Sequence, residues 1–228
     1  MISVLYFWGI IMGMLVKRVN NLCHKLEKKI CIPLLAKSRR KRLKYDDFTI
    51  ISNNCWGGCC YEFFGMPKLS PTVGAYFFAE DYVKLCANLR KYLSLDLKFI
   101  PPESSRHVES IKKQNNSNAI IGKLDDVEIV FLHYPNADVI LEKWNRRVKR
   151  INWDRVILKF SYQNECSDAL VEEFLRIPDY PKFVLVGEPI TQDRDEIVFQ
   201  RSNGKETVDE TVNFNRFINP INIINDRI

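Results

Sequence analysis

The chain has 228 residues, of which 46% are hydrophobic and 27% are charged. This composition excludes a disordered or fibrous protein, and the length suffices for one main domain with a sizeable core. Seven cysteines are an odd number without a regular spacing. We therefore interpret them as free thiols of a reducing compartment, not as a disulfide framework.

The N-terminal segment is apolar first and then strongly basic. Residues 17–44 contain eleven Lys and Arg and one Glu, a formal charge of +10, which leaves −4 for the rest of the chain. Residues 2–16 carry no charge and no Pro. As a helix they would reach about 22 Å, short of the roughly 30 Å hydrocarbon core of a bilayer. We predict a hydrophobic and basic helical arm over residues 1–45, attached to an anionic membrane surface, and an α/β domain over residues 46–228.

The charge pattern also bears on the side of the membrane and on other partners. Basic residues follow the apolar stretch and no small-residue cleavage site is visible, which argues against a signal peptide. The positive-inside rule then predicts a location on the cytoplasmic side, with either peripheral or N-terminal anchoring. A start codon assigned upstream of the true one, at Met12 or Met14, is the alternative. No nucleic-acid partner is expected, because no zinc finger, RNA-binding aromatic signature or Gly-rich basic repeat accompanies the basic residues.

Stretches typical of strands and helices alternate after the arm. Apolar runs predict strands over 48–52, within 66–78, and over 127–134, 153–160 and 182–187. Helical spacing predicts helices around 59–64, 80–93, 108–113, 136–150 and 167–177. A turn at 124–126 makes residues 119–134 a hairpin, and the tail beyond Gly204 offers at most one closing strand or helix. This alternation predicts a mixed, mainly parallel sheet covered by helices on both faces.

The first predicted strand runs into a loop of small polar and flexible residues. Ligands of α/β sheets gather at the carboxyl ends of strands, where glycines allow close approach and helix N-termini offer free N–H groups. A second polar stretch precedes the next strand and could line the same pocket. The predicted substrate-binding residues are Ser52, Asn53, Asn54, Trp56, Gly57, Gly58, Ser70 and Thr72. A tight turn held by side-chain hydrogen bonds is the alternative interpretation.

The candidate catalytic residues are Cys55 and His133. Cys55 could act as a nucleophile if a base and a helix N-terminus lowered its pKa. His133 lies near the end of a predicted strand and is the candidate base. The alternative interpretation is that His133 is a hydrogen-bonded residue of the core. Cys55, Cys59 and Cys60 lack the spacing of a four-ligand zinc site, so no metal site is expected. No nucleotide-binding motif is present, and the cofactor is left open.

Four blocks of the chain resemble a known family. FTIISNNCWGG, SPTVGAYFFAEDYVKLCANLRKYL, IIGKLDDVEIVFLHY and EKWNRRVKRINWDRV occur in this order within residues 46–187, and they are similar to the uncharacterised bacterial family DUF1919. Members are often named exopolysaccharide or capsule biosynthesis proteins. The resemblance implies a three-layer α/β/α fold and a role in making surface polysaccharide. Besides the residues of the two polar stretches, the blocks contain Gly74, Asp125, His133, Trp144, Arg147 and Asn152.

Two functions are consistent with these features. The first is a transferase, either a glycosyl- or an acyltransferase, that acts on a glycan or a lipid-linked sugar and takes a sugar or polysaccharide precursor as its partner. The second is a non-catalytic, membrane-associated module that recruits polysaccharide enzymes. The second draws its support from the lack of a recognised catalytic set in the sequence.

Overall fold

The strands of this protein form two sheets of different kinds. The computed structural model describes residues 32–188, 194–200, 204–207, 210–211 and 218–228. Within these ranges the predicted α/β fold, with both parallel and antiparallel pairing, is confirmed. The four parallel strands lie in one sheet and the four antiparallel strands in another, where the sequence suggested a single mixed sheet. Strand pairing is a long-range property, so the local pattern does not record which strands share a sheet.

The helices and strands follow one another along the described chain with two short 3-10 helices, Pro102–Ser104 and Trp153–Arg155, between them. In chain order the elements are α1 (Ile32–Arg40), β1 (Thr49–Ser52), α2 (Trp56–Phe63), β2 (Ala75–Tyr76), α3 (Ala79–Ala87), α4 (Leu89–Leu93), β3 (Lys98–Ile100), α5 (Val108–Lys113), β4 (Ile120–Leu124), β5 (Val127–Phe131), α6 (Ala137–Val148), β6 (Val156–Ser161), α7 (Asp168–Arg176), β7 (Lys182–Val186), β8 (Ile197–Phe199) and α8 (Pro220–Asn225).

The parallel sheet has the strand order β1-β6-β7-β8, and the antiparallel sheet has the order β2-β5-β4-β3. In the first, β6 lies between β1 and β7, with Ser52 opposite Lys159. In the second, Leu124 pairs with Val127 across the predicted hairpin turn. Asp125 in that turn has a φ of 55°, a backbone region that Asp tolerates better than most residues. The turn predicted from the sequence is thus confirmed.

Side chains of the parallel strands alternate between two hydrophobic clusters, as the twofold period of a strand requires. Ile51, Leu158 and Val184 belong to the larger cluster, which also includes side chains of the antiparallel sheet and of α3, α4, α6 and α7. Ile157 and Phe183 point to the opposite cluster, which α2 and α8 cover. A third, smaller cluster joins the antiparallel sheet to α5. Both faces of the parallel sheet are therefore buried, as predicted.

Most element boundaries agree with the sequence patterns, and the exceptions are short elements. The helix predicted over 80–93 is divided at Asn88 into α3 and α4. Strands β3 and β8, of three residues each, were not predicted. Asn136 caps α6 at the predicted start of this helix, where its side chain accepts a hydrogen bond from the backbone N–H of Val139 at 3.0 Å.

The described end of the N-terminal arm contacts the domain. Ala36 of α1 is buried, the Arg39 guanidinium lies 4.0 Å from the centre of the Phe63 ring, and the Lys44 backbone N–H donates to Asn225 Oδ1 at 2.8 Å. Residues 36–44 therefore pack as part of the folded unit, although the sequence placed the boundary after residue 45. None of the helices in the described ranges has the length and apolarity of a membrane span. The apolar stretch 2–16 and its predicted membrane attachment lie outside the described residues.

Candidate functional site

The loop after β1 is tied to the end of β6 by the side chain of Asn53. Its Oδ1 accepts the Ser161 backbone N–H at 2.9 Å, and its Nδ2 donates to the Ser161 carbonyl at 3.0 Å. The amide thereby continues the ladder between the two strands by one residue. Asn53 is buried and both ends of its amide are engaged, so it shapes the strand end and does not face a ligand.

Beneath this loop lies a buried ion pair between Lys159 of β6 and Glu210 of the C-terminal segment. Their side chains are 0% and 2% exposed, and Lys159 Nζ lies 2.6 Å from Glu210 Oε1. Asn54 Oδ1 accepts a second hydrogen bond from Nζ at 3.0 Å. Ser161 Oγ lies 2.8 and 2.7 Å from the two carboxylate oxygens of Glu210 and contacts Nζ as well. We call these four residues the buried polar network.

The network compensates two charges in an apolar environment. Burial lowers the pKa of Lys159, and the Glu210 carboxylate acts in the opposite direction. Lys159 shares its face of β6 with Ile157, because side chains two residues apart point the same way, and its Nζ lies 5.6 Å from the centre of the Trp56 ring. Since a buried charge is tolerated only when it is paired and hydrogen-bonded, the network fixes Glu210 against the sheet.

Several residues predicted to bind substrate are structural. Trp56 was predicted to bind substrate, yet its side chain is fully buried and packs edge-on against Phe183 at 5.5 Å. The hydroxyl of Thr72 accepts the Ser52 backbone N–H at 3.2 Å and lies 3.0 Å from Ser70 Oγ. The Ser52 hydroxyl donates to Asn54 Oδ1 at 3.3 Å, so the side chains of Ser52, Trp56, Ser70 and Thr72 are all engaged in packing or in internal hydrogen bonds. The alternative of a hydrogen-bonded turn describes these positions.

The two glycines of the loop allow close packing. A Cβ on Gly57 would lie 3.3 Å from Ile50, and one on Gly58 would lie 3.1 Å from Val73. Gly57 thus lets α2 approach β1. Gly58 also lines a cavity, so it is the glycine of the pair that a ligand could approach.

A cavity of about 270 Å³ opens between α2, the residues before β2 and α6. Its wall carries three cationic side chains, Lys68, Lys143 and Arg147, together with Glu62. We call it the cationic cavity. Cys55 and His133 both line it, so the structure brings the two candidate catalytic residues to one cavity, although they are 78 positions apart in the sequence.

A second cavity of about 350 Å³ shares part of this wall. Cys55, His133 and Thr211 line both cavities. The remaining wall is rich in hydrogen-bonding groups, with Tyr76, Glu210 and five side-chain amides, those of Asn54, Gln114, Asn116, Gln163 and Asn164. We call it the amide cavity. Carboxamides both donate and accept hydrogen bonds, so this wall suits a ligand with several hydroxyl groups.

The electrostatics at Cys55 do not match those of an activated nucleophile. Cys55 precedes α2, but burial raises the pKa of its thiol, and the nearby Lys159 charge offsets only part of the effect. Within the described part of the chain no hydrogen bond joins Cys55 to His133. The lowered pKa on which nucleophilic catalysis by Cys55 depended is therefore absent, because the thiol is partly buried. His133 is exposed at the cavity wall and is not a core histidine.

Of the other residues named in the four family-like blocks, some line the cationic cavity and others have structural roles. Arg147 and Gly74 line the cationic cavity. Trp144 is 2% exposed and belongs to the main core, and Asn152 caps a 3-10 helix through the Asp154 backbone N–H. Asp125 lies in the hairpin turn, as predicted.

The sequence interpretation missed three members of the buried polar network. Lys159 and Ser161 lie within VILKFS, where a lysine inside an otherwise apolar central strand is itself a signal for a buried charge. Glu210 had no such signal, because it lies in the weakly patterned tail. Among the described residues, no group of three or more His, Cys, Asp or Glu could hold a metal ion.

The fold and the cavities define an α/β protein with a polar, partly cationic site at the carboxyl end of its first parallel strand. The chain belongs to the family described as domain of unknown function DUF1919, whose model matches residues 26–226. An uncharacterised protein of Haemophilus influenzae is 26% identical over 155 residues, which cover 68% of this chain and 69% of the relative. The family match extends the resemblance, quoted above for residues 46–187, in both directions.

Proposed function

We propose that this protein is a transferase of surface-polysaccharide biosynthesis that moves a glycosyl or acyl group onto a glycan or a lipid-linked sugar. The observation that carries the proposal is the pair of adjoining cavities. A transferase that forms no covalent intermediate holds a donor and an acceptor at once, and the shared wall of Cys55, His133 and Thr211 is where the two would meet. The amide cavity suits the hydroxyls of an acceptor sugar.

In this reaction an acceptor hydroxyl oxygen forms a bond to the anomeric or carbonyl carbon of the donor. The hydroxyl proton passes to a base, and the donor oxygen or sulfur leaves with the electron pair of the broken bond. His133 is the base in this scheme, because it is exposed at the shared wall. Cys55, whose pKa is raised, contributes a neutral thiol to the wall and forms no covalent intermediate.

Complementation of a strain that lacks the gene tests the proposal. His133→Ala should abolish or strongly reduce surface glycan, whereas Asn145→Ala, on the exposed side of α6, should restore it fully. Circular dichroism and expression level of both variants check that they fold. Normal glycan with a folded His133→Ala variant would remove the basis of the transferase assignment.

The competing function is a membrane-associated module that binds a polysaccharide enzyme. The raised pKa of Cys55 favours it, as does α1, where Leu34 and Leu35 are 75% and 48% exposed beside Lys37, Arg39 and Arg40. An exposed apolar and basic helix suits an anionic membrane surface on the cytoplasmic side. Recovery of a stable complex with a glycan-assembling enzyme, unaffected by His133→Ala, would support the module over the transferase.

A further inference from the structure

We propose that the cationic cavity is the binding subsite for a phosphate or diphosphate ester, and that this group belongs to the donor. The assignment of this group to the donor rests on the proposed function, whereas the anion site itself does not depend on it. Three cations and one carboxylate give the wall a formal charge of +2 from its Lys, Arg and Glu side chains. The chain outside residues 17–44 has a charge of −4, so this cavity is a local exception to an acidic body.

Arg147 carries the argument because it is a buried cation without a carboxylate. The residue is 7% exposed, and its Nη1 donates to the Val73 carbonyl at 3.0 Å and to the Tyr134 hydroxyl at 2.8 Å. In the described part of the chain no Asp or Glu lies within ion-pair distance of it. Buried charges are ordinarily paired. An anion in the cavity that Arg147 lines would supply the missing charge.

The position of Arg147 is built into the fold. Gly74 has a φ of 85°, and a Cβ there would lie 2.8 Å from the Tyr134 ring. Gly74 therefore leaves the space that the Tyr134 ring occupies. The Tyr134 hydroxyl donates a hydrogen bond to the Val73 carbonyl, the same carbonyl that Arg147 contacts. The backbone at residues 73–74 and the tyrosine together hold one guanidinium nitrogen in place, so the cation is ordered before any ligand arrives.

The other two cations of the cavity wall are Lys143 and Lys68. Lys143 lies one helical turn before Arg147 on α6, with its Nζ 5.1 Å from the centre of the Tyr134 ring. It too has no carboxylate within ion-pair distance among the described residues. Lys68 comes from the opposite wall, where Glu62 lies 3.1 Å from its Nζ. Fixed guanidinium and mobile ammonium groups around one space are the usual partners of phosphate oxygens.

The volume decides how much of a donor this cavity holds. At about 270 Å³ it is just below the usual range of about 300–1,000 Å³ for small-molecule sites. It can hold a phosphate or diphosphate group but not a complete nucleotide sugar or polyprenyl chain. The rest of the donor would extend past the shared wall or out of the opening.

Binding of pyrophosphate to the full chain in detergent, measured by isothermal titration calorimetry, tests the inference. We expect saturable binding that weakens with added salt. Lys143→Gln and Lys68→Gln should each weaken it about 10-fold or more, the effect of losing a charged hydrogen bond. Lys149→Gln removes the same charge from the exposed residue that follows α6, outside the cavity, and should leave the affinity unchanged. Equal affinity of all three variants, or no binding by the folded wild-type chain, would overturn the inference.

A second arm identifies the source of the phosphate. A nucleoside diphosphate and a short polyprenyl phosphate are titrated against the same variants. Whichever binds more tightly than pyrophosphate and loses affinity with Lys143→Gln is the donor class. Weaker binding of both than of pyrophosphate would contradict a donor subsite.

The same variants separate this inference from the transferase proposal. If pyrophosphate does not bind but His133→Ala still abolishes the glycan, the transferase proposal stands and the phosphate subsite falls. If Lys143→Gln weakens pyrophosphate binding as expected while the glycan is made at the normal level, the anion site stands and its role as donor site in a transferase falls.

Discussion

The buried ion pair gives the sharpest prediction about stability. Lys159→Met removes the ammonium group and leaves the Glu210 carboxylate without its charged partner, 2.6 Å away and 2% exposed. Removing one partner of a buried pair typically costs about 3–5 kcal/mol, because the remaining charge stays desolvated. Domains of this kind are stable by only about 5–15 kcal/mol. The substitution should therefore remove a large part of the free energy of unfolding.

This cost corresponds to a fall in melting temperature of roughly 6–20 °C, since each kcal/mol shifts the midpoint by about 2–4 °C for 150–250 residues. Urea unfolding followed by circular dichroism, with thermal unfolding beside it, measures both quantities. The double variant Lys159→Met/Glu210→Met should be less destabilised than Lys159→Met alone, because no charge then remains buried.

An exposed pair of equal length provides the control. Lys205 Nζ lies 2.6 Å from Asp168 Oδ2, with side-chain exposures of 45% and 57%. Because water screens this pair, Lys205→Met should cost less than about 1 kcal/mol. Equal losses in Lys159→Met and Lys205→Met would refute the claim that burial makes the first pair important. So would a double variant as unstable as the sum of its single variants.

Three further predictions concern local features. Asn136→Ala should cost about 1 kcal/mol in urea unfolding because it removes the cap of α6, and a loss equal to that of the exposed Asn145→Ala would contradict this. Iodoacetamide should modify Cys55 more slowly in the folded than in the urea-unfolded chain at one pH, as judged by peptide mass spectrometry, because burial raises its pKa; a faster reaction in the folded chain would contradict it. The pKa of Asp126 is lowered from 3.8 to about 2, first by hydrogen bonds from Tyr92 and Lys84. The folded chain thus holds this proton less tightly than the unfolded chain, so the stabilisation is complete above pH 3.8 and disappears as the pH falls through about 2. The difference in free energy of unfolding between wild type and Asp126→Asn should vanish over that range. A difference that persists below about pH 2 would contradict a lowered pKa of Asp126.

The positions of the long elements could be predicted from the sequence, because their signals are local. Apolar runs marked β1, β5, β6 and β7, and helical spacing marked α6 and α7. The cap at Asn136 and the turn at Asp125 have signals within four residues of where they act. The same reasoning placed a polar loop with Cys55 at a strand end and His133 at another, and the structure brings both to one cavity wall.

Tertiary structure alone decided which strands share a sheet and which polar groups face a ligand. Trp56 is buried because α2 lies against the parallel sheet, and Arg147 reaches a carbonyl 74 positions away. Glu210 meets Lys159 across 51 positions from a segment with no pattern of its own. Periodicity reports only whether a side chain faces inward. The partner it finds there depends on how distant segments close on one another, and no local pattern records that choice.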